Sequence, residues 1–182
     1  MTAYNVQDGP IPGLIYINNF ILDHNALLDI IKSYKLTPIS SSNNSRCVTH
    51  FGYNYAYDGS GLSKTTAIPT ELEQLITPDI LLSITGKTYT PFDQVIINQY
   101  KKSQCISPHI DHVKYFGDII GSISLGSTCD MIFTQQATTI AVSLEPGSLV
   151  ILTEQARYNW KHSLINKSNK IRYSITFRHV RL

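Results

Sequence analysis

The chain has 182 residues, of which 42% are hydrophobic and 15% charged, with a formal net charge of +2. That length buries a full core without disulfides or a structural metal, and three scattered cysteines (Cys47, Cys105, Cys129) exclude a disulfide framework. The charge is too small to argue for nucleic acid by itself and does not exclude a phosphate-bearing partner.

Met1 to Pro12 has neither a basic nor an apolar leader segment, and no apolar run approaches the ~18 residues of a membrane span. The expectation is a soluble, intracellular protein, cytoplasmic or nuclear, with reduced thiols. Asp23 is placed to cap a helix whose apolar face is Ala26, Leu27, Leu28, Ile30 and Ile31. Ser40 to Ser45 reads as a polar loop. Phe51, Tyr53, Tyr55 and Tyr57 alternate, which places four aromatics on one side of an early ribbon. Thr70 and Glu73 have the form of a capping box opening a second helix, with Leu72, Leu75 and Ile76 as its buried stripe.

From Asp93 the texture changes to short β-rich runs at 94–100, 119–125, 131–134, 139–144, 148–153 and 171–180, separated by turn residues. Helices early and regularly spaced strands late predict an α+β domain with a double-sheet jelly-roll half. The expected division is a single domain over 1–182, with an extension over about 1–92 and a jelly-roll core over about 93–182.

His109 and Asp111 lie two apart, so on a strand both reach the same side, and His162 follows after a long interval. Two imidazoles and one carboxylate suit Fe(II) and leave coordination positions open. His112 would face away from Asp111 and is read as a bystander. In the stretch from Arg172 to Arg178, Tyr173, Ile175 and Phe177 form one face that fills the sandwich. Arg172, Ser174, Thr176 and Arg178 form the other. Two guanidiniums on a polar face point to an anionic ligand, because the arginine fork binds carboxylates bidentately.

These residues resemble the AlkB family of Fe(II)- and 2-oxoglutarate-dependent dioxygenases. The matching motifs are Asn98-x-Tyr100, Ile106, His109-x-Asp111, Arg157-Tyr158-x-Trp160-x-His162, and Arg172 through Arg178, in the family's order. Within the family, His50 to Tyr53, Ile97 to Tyr100, Ser124 to Ser127 and Phe177 to Arg181 resemble the oxygenase domain of the branch that hydroxylates a modified wobble uridine in tRNA. Three serines depart from the pattern. Ser103 stands where the family usually has Gly, Ser163 replaces the Gly after the second metal histidine, and Ser174 stands where some members carry Asn.

The resemblance implies a double-stranded β-helix with N-terminal helices packed on its sheet and an N-terminal nucleotide-recognition ribbon. It implies Fe(II) on His109, Asp111 and His162. It also implies 2-oxoglutarate held by Arg172 and Tyr100 at its far carboxylate, with Asn98, Ser174 and Arg178 also contributing, Arg178 and Asn98 near the metal-bound end. The reaction implied is oxidation of an alkylated or modified base in RNA, tRNA or single-stranded DNA, with release of succinate and CO2. Tyr53, Tyr55 and Tyr57 are candidates for stacking on a base. Arg46 and Arg157, with Lys101, Lys102 and Lys114, are candidates for phosphate contact. Two other readings stay open: an oxygenase of the same chemistry acting on protein or lipid, and a catalytically silent nucleic-acid-binding module.

Overall fold

The computed structural model describes residues 4–42, 44–56 and 61–181. In chain order the elements are β1 (Val6–Asp8), β2 (Leu14–Ile17), α1 (His24–Ser33), β3 (Thr37–Pro38), β4 (Cys47–Phe51), β5 (Tyr53–Ala56), β6 (Gly61–Lys64), α2 (Thr70–Glu73) and α3 (Pro78–Thr85). They continue with β7 (Gln94–Tyr100), β8 (Cys105–His109), β9 (Phe116–Leu125), β10 (Cys129–Gln135), β11 (Thr138–Leu144), β12 (Leu149–Leu152), α4 (Glu154–Tyr158), β13 (Lys161–Ile165) and β14 (Arg172–Val180). An eight-stranded sheet runs β1-β2-β12-β9-β14-β7-β4-β3, a four-stranded sheet runs β11-β10-β13-β8, and β5 and β6 form a separate hairpin.

Each central strand of the large sheet splits its residues between two layers. Val95 and Ile97 of β7, Leu149 and Ile151 of β12, and Tyr173, Ile175 and Phe177 of β14 pack with Leu27, Ile31, Leu72, Ile76, Leu81 and Ile84 of the helical segment. Tyr100, Ile120, Val150 and Leu152 instead join Met131, Phe133, Leu144 and Leu164 of the small sheet. The period of two therefore assigns alternate residues to the helix layer and to the space between the sheets. This reverses one expectation: the apolar face of β14 turns onto the helices, and its arginine face looks between the sheets.

The capping chemistry explains where the helices begin. Asp23 accepts from the Ala26 backbone N–H at 3.0 Å, as its position predicts, but Ala26 and Ile30 stay exposed and only Leu27 and Ile31 are fully buried. The capping box at Thr70 does not form: Pro69 precedes a four-residue turn with no side-chain cap. The longer helix starts at Pro78, capped by Thr77 and closed by Gly86 in the left-handed region (φ 69°). Pro at the first helical position and Gly just past the last are the stronger punctuation.

The first half is also richer in strands than its composition suggests, because β1 to β4 complete the large sheet. The four-aromatic ribbon is broken at Gly52. Phe51 ends β4 in the core, while Tyr53 begins the hairpin. Gly52 has φ 74°, and a Cβ there would collide with the Asp93 carbonyl, so the chain turns the corner only with glycine.

Candidate metal centre and co-substrate cavity

Pairing of β8 with β13 sets His162 opposite His109, with ring centroids 4.3 Å apart. β8 ends at His109, so Asp111 is not on the strand that the His-x-Asp spacing suggests; it lies in the loop leading to β9. That loop brings the carboxylate back. Its Oδ1 lies 3.8 Å from His109 Nε2 and its Oδ2 lies 3.9 Å from His162 Nε2. The three ligand atoms all sit within 4.8 Å of one another, the one such group among the described residues.

Protonation favours ligation. The Ser107 carbonyl lies 2.8 Å from His109 Nδ1, which assigns the proton to that nitrogen and leaves Nε2 for a metal. Burial holds the His162 imidazole down at about 4, against the pull of Asp111, so it is neutral at physiological pH. Burial acts to raise the Asp111 carboxyl, but Arg178, His162, His109 and Arg157 outweigh it and hold it at about 2. Arg178 Nη2 donates to Asp111 Oδ1 at 2.9 Å. With one oxygen so occupied, Asp111 offers the metal a single oxygen, and an octahedral ion would keep three positions for other ligands.

The sequence reading assigns Arg157 to phosphate, and the structure places it elsewhere. Its side chain is 2% exposed and donates to the carbonyls of Asp111 (2.8 Å), Gly117 (2.9 Å) and Phe116 (3.1 Å). The three bonds tie the loop that carries the metal carboxylate to the start of β9, leaving the guanidinium no face toward solvent. The sequence spacing relates Arg157 to His162, but the contact is to a loop 46 residues earlier.

The space between the sheets is a cavity of about 400 Å³ containing the metal ligands. Arg46, Asn98, Tyr100, Arg172, Ser174, Thr176 and Arg178 all line it. Arg172 is fully buried at 0% exposure; Nη2 donates to Ser124 Oγ at 2.9 Å, while Nε and Nη1 have no partner among the described residues. Its guanidinium lies 5.4 Å from the centre of the Tyr100 ring. Burial lowers its pKa, partly offset by Tyr100 and Cys129, and guanidinium remains charged even so. A buried cation with two unsatisfied donors facing a cavity is a strong demand for a carboxylate, since leaving such groups unmatched costs several kcal/mol. The donor set and this orphaned fork fit Fe(II) and a dicarboxylate.

Asn98 is oriented by Arg46, whose Nε donates to its Oδ1 at 3.2 Å. The Asn98 amide nitrogen is thereby left as the free donor. Tyr55 lines the cavity, its ring 5.5 Å from Phe116 and 6.3 Å from Tyr115. His112, read as a bystander, also lines it and stacks on Tyr115 at 4.4 Å. Tyr53 does not line the cavity; its carbonyl accepts from Gln94. Tyr57 lies outside the described residues.

Two residues escaped the sequence reading. Gln94 bonds Arg178 from the first position of β7, and its place on the face of Asn98 and Tyr100 is the signal that would have found it. Asn166 is fully buried and donates to the carbonyls of Tyr100 and Lys170, both at 2.9 Å, pinning the strand end beside Arg172. Its position in a polar turn gave no sign of this.

Residues 17–178 match the model of the 2OG-Fe(II) oxygenase superfamily. The chain belongs to that superfamily. It is thus a 2OG-Fe(II) oxygenase, with Fe(II) and 2-oxoglutarate as metal and co-substrate, and it is similar to AlkB homologues. A Xenopus tropicalis protein named tRNA (carboxymethyluridine(34)-5-O)-methyltransferase alkbh8 is 32% identical over 157 residues, covering 84% of this chain and 25% of that protein. An Arabidopsis thaliana protein named Alkylated DNA repair protein ALKBH8 homolog is 29% identical over 211 residues, covering 94% of this chain and 59% of that one. The chain therefore spans about a quarter of the former and somewhat over half of the latter. Among solved structures, that of OsALKBH1 superposes with a TM-score of 0.74 at 18% identity, covering 96% of this chain and 99% of that chain, a likeness of fold. Among the described residues, no helix is long and apolar enough to cross a membrane.

Proposed function

We propose that this oxygenase acts on a modified or alkylated base in nucleic acid, with tRNA the leading candidate, either demethylating the base or hydroxylating a wobble-uridine substituent. The observation that carries the reading is Tyr55 on the β5–β6 hairpin, an aromatic wall of the metal cavity backed by Phe116 and Tyr115. A base removed from its stack needs such a face. The names of the relatives, which specify tRNA and alkylated DNA, point the same way.

When bound, the iron and 2-oxoglutarate supply oxidative decarboxylation to succinate and CO2 coupled to oxidation of a substrate C–H bond. The chain's own groups do the rest. His109, Asp111 and His162 hold the metal. Arg172 would bind the far carboxylate of the co-substrate, assisted by Tyr100, with Asn98 toward the metal-bound end and Ser174 beside the co-substrate. Arg178 keeps Asp111 ionised and occupies one of its oxygens, which would leave the other for the metal. Arg46 belongs to this polar wall through Asn98, and the single-domain division over 1–182 is part of the same reading. An intracellular location, where such nucleic acids are, accompanies it.

The test is nucleoside mass spectrometry after incubating the protein, Fe(II), ascorbate and 2-oxoglutarate with defined methylated DNA, methylated RNA and bulk tRNA. A new oxidised or demethylated nucleoside, with stoichiometric succinate, is the expected result. Succinate release stimulated only by peptide or lipid would transfer the activity to another substrate class.

A further inference from the structure

Gln94 is fully buried at the start of β7, opposite Arg178 in the strand register. Its side-chain oxygen accepts from Arg178 Nη1 at 3.3 Å, and its amide nitrogen donates to the Tyr53 carbonyl at 3.1 Å. Arg178 extends Nη2 to Asp111 Oδ1 at 2.9 Å. Four groups thus form an unbroken chain, buried up to its last link, from a metal-ligand carboxylate to the first residue of the β5–β6 hairpin. Each link has a fixed polarity. Arginine only donates and a carbonyl only accepts, so the middle of the chain must accept on one side and donate on the other. A primary amide does both.

A second connection runs beside the first. The Arg178 guanidinium lies 4.8 Å from the centre of the Phe116 ring, and Phe116 lies 5.5 Å from the ring of Tyr55 in the same hairpin. The hairpin therefore meets the counter-ion of Asp111 through both a hydrogen-bonded relay and an aromatic wall.

We propose that Gln94 is a positioning residue that couples occupancy of the metal centre to the seating of the β5–β6 hairpin over the cavity. A metal that fixes the Asp111 carboxylate fixes Arg178, then the Gln94 amide, then Tyr53. By linkage, a substrate that presses the hairpin into place strengthens the hold on Asp111 to the same degree. This inference rests on the metal assignment and is independent of the substrate's identity.

Hydrogen exchange on the full chain, with Mn(II) as the only added ligand, tests it. In the wild type, Mn(II) slows exchange of the Tyr53–Ala56 and Gly61–Lys64 amides. Gln94→Leu, which cuts both links, weakens Mn(II) binding by about 10-fold, and saturating Mn(II) no longer protects the hairpin. Gln94→Glu keeps the acceptor for Arg178 but loses the donor to Tyr53, so hairpin protection is lost and Mn(II) binding weakens by the coupling alone, less than in Gln94→Leu. Hairpin protection equal to the wild type's in both variants at saturating Mn(II) overturns the coupling alone. A wild type that binds no Mn(II) overturns the metal assignment and the coupling with it.

Discussion

The guanidinium of Arg157 donates at 2.8 Å to the backbone carbonyl of Asp111, so the metal carboxylate is aimed by a residue of the short helix α4, 46 positions further on. With its other nitrogens on Phe116 and Gly117, this one side chain determines the path of the loop. Arg157→Lys keeps the charge and loses the fork. Each buried carbonyl left without a donor costs about 1–3 kcal/mol, so denaturant titration should register a loss of at least about 2 kcal/mol. Metal affinity should fall by roughly 10-fold or more. If the protein binds RNA, as the proposed function requires, the salt dependence of that binding should not change, because Arg157 is buried against backbone carbonyls.

Arg172 is predicted to behave in the opposite way. Arg172→Met removes a buried charge that lacks partners for two of its nitrogens, so the ligand-free protein should melt at the same temperature or higher. Calorimetry with Mn(II) present should then show 2-oxoglutarate binding weakened by at least about 2 kcal/mol, roughly 30-fold. Unchanged co-substrate affinity would remove Arg172 from the site.

Ser103 occupies the left-handed region (φ 66°) at the position where the AlkB pattern usually has glycine. The turn has kept the glycine conformation without the glycine. Ser103→Gly relieves a backbone penalty of about 1–2 kcal/mol, partly offset by the greater freedom of glycine in the unfolded chain. A net gain of about 0.5–1 kcal/mol in denaturant titration is expected.

His50 provides a pH-dependent contribution. Burial, then the charges of Arg178 and Arg46, hold its imidazole at about 4, below the ordinary 6.5. Its Nδ1 accepts from the Tyr55 N–H at 3.0 Å, a bond that requires that nitrogen unprotonated. The unfolded chain therefore takes up a proton before the folded one does. The stabilisation is complete above 6.5 and is lost as the pH falls toward 4. His50→Gln keeps an acceptor without the titration, and its stability should fall less over that interval than the wild type's.

How much of this was legible in the sequence depends on the kind of signal. Alternation over Arg172 to Arg178 is local, and it assigned both faces of β14, although not which layer each face meets. That question is settled by β9, β7 and the helices, which are distant in sequence. The triad residues were identifiable, but the strand geometry inferred from His-x-Asp was wrong, because β8 stops at His109 and the loop does the aiming. Capping signals worked where a side chain meets its own helix, as at Asp23. They failed at Thr70, where Pro69 and the stronger Thr77-Pro78 start nearby decided the outcome. Arg157 and Asn166 act through main-chain groups far along the chain, and no spacing rule reveals such partners, whereas Gln94 shares the period-two face of Asn98 and Tyr100.

The placement of His109 has one more consequence. Among the described residues, β8 is the outermost strand of the small sheet, bonded to β13 on one side. A metal ion shared by His109, Asp111 and His162 would clip that strand to its neighbour and to the loop beyond it. Chelation should therefore expose a cleavage-prone stretch, and limited trypsin digestion at Lys101, Lys102 and Lys114 should accelerate when EDTA is added, well before the remaining strands are cut.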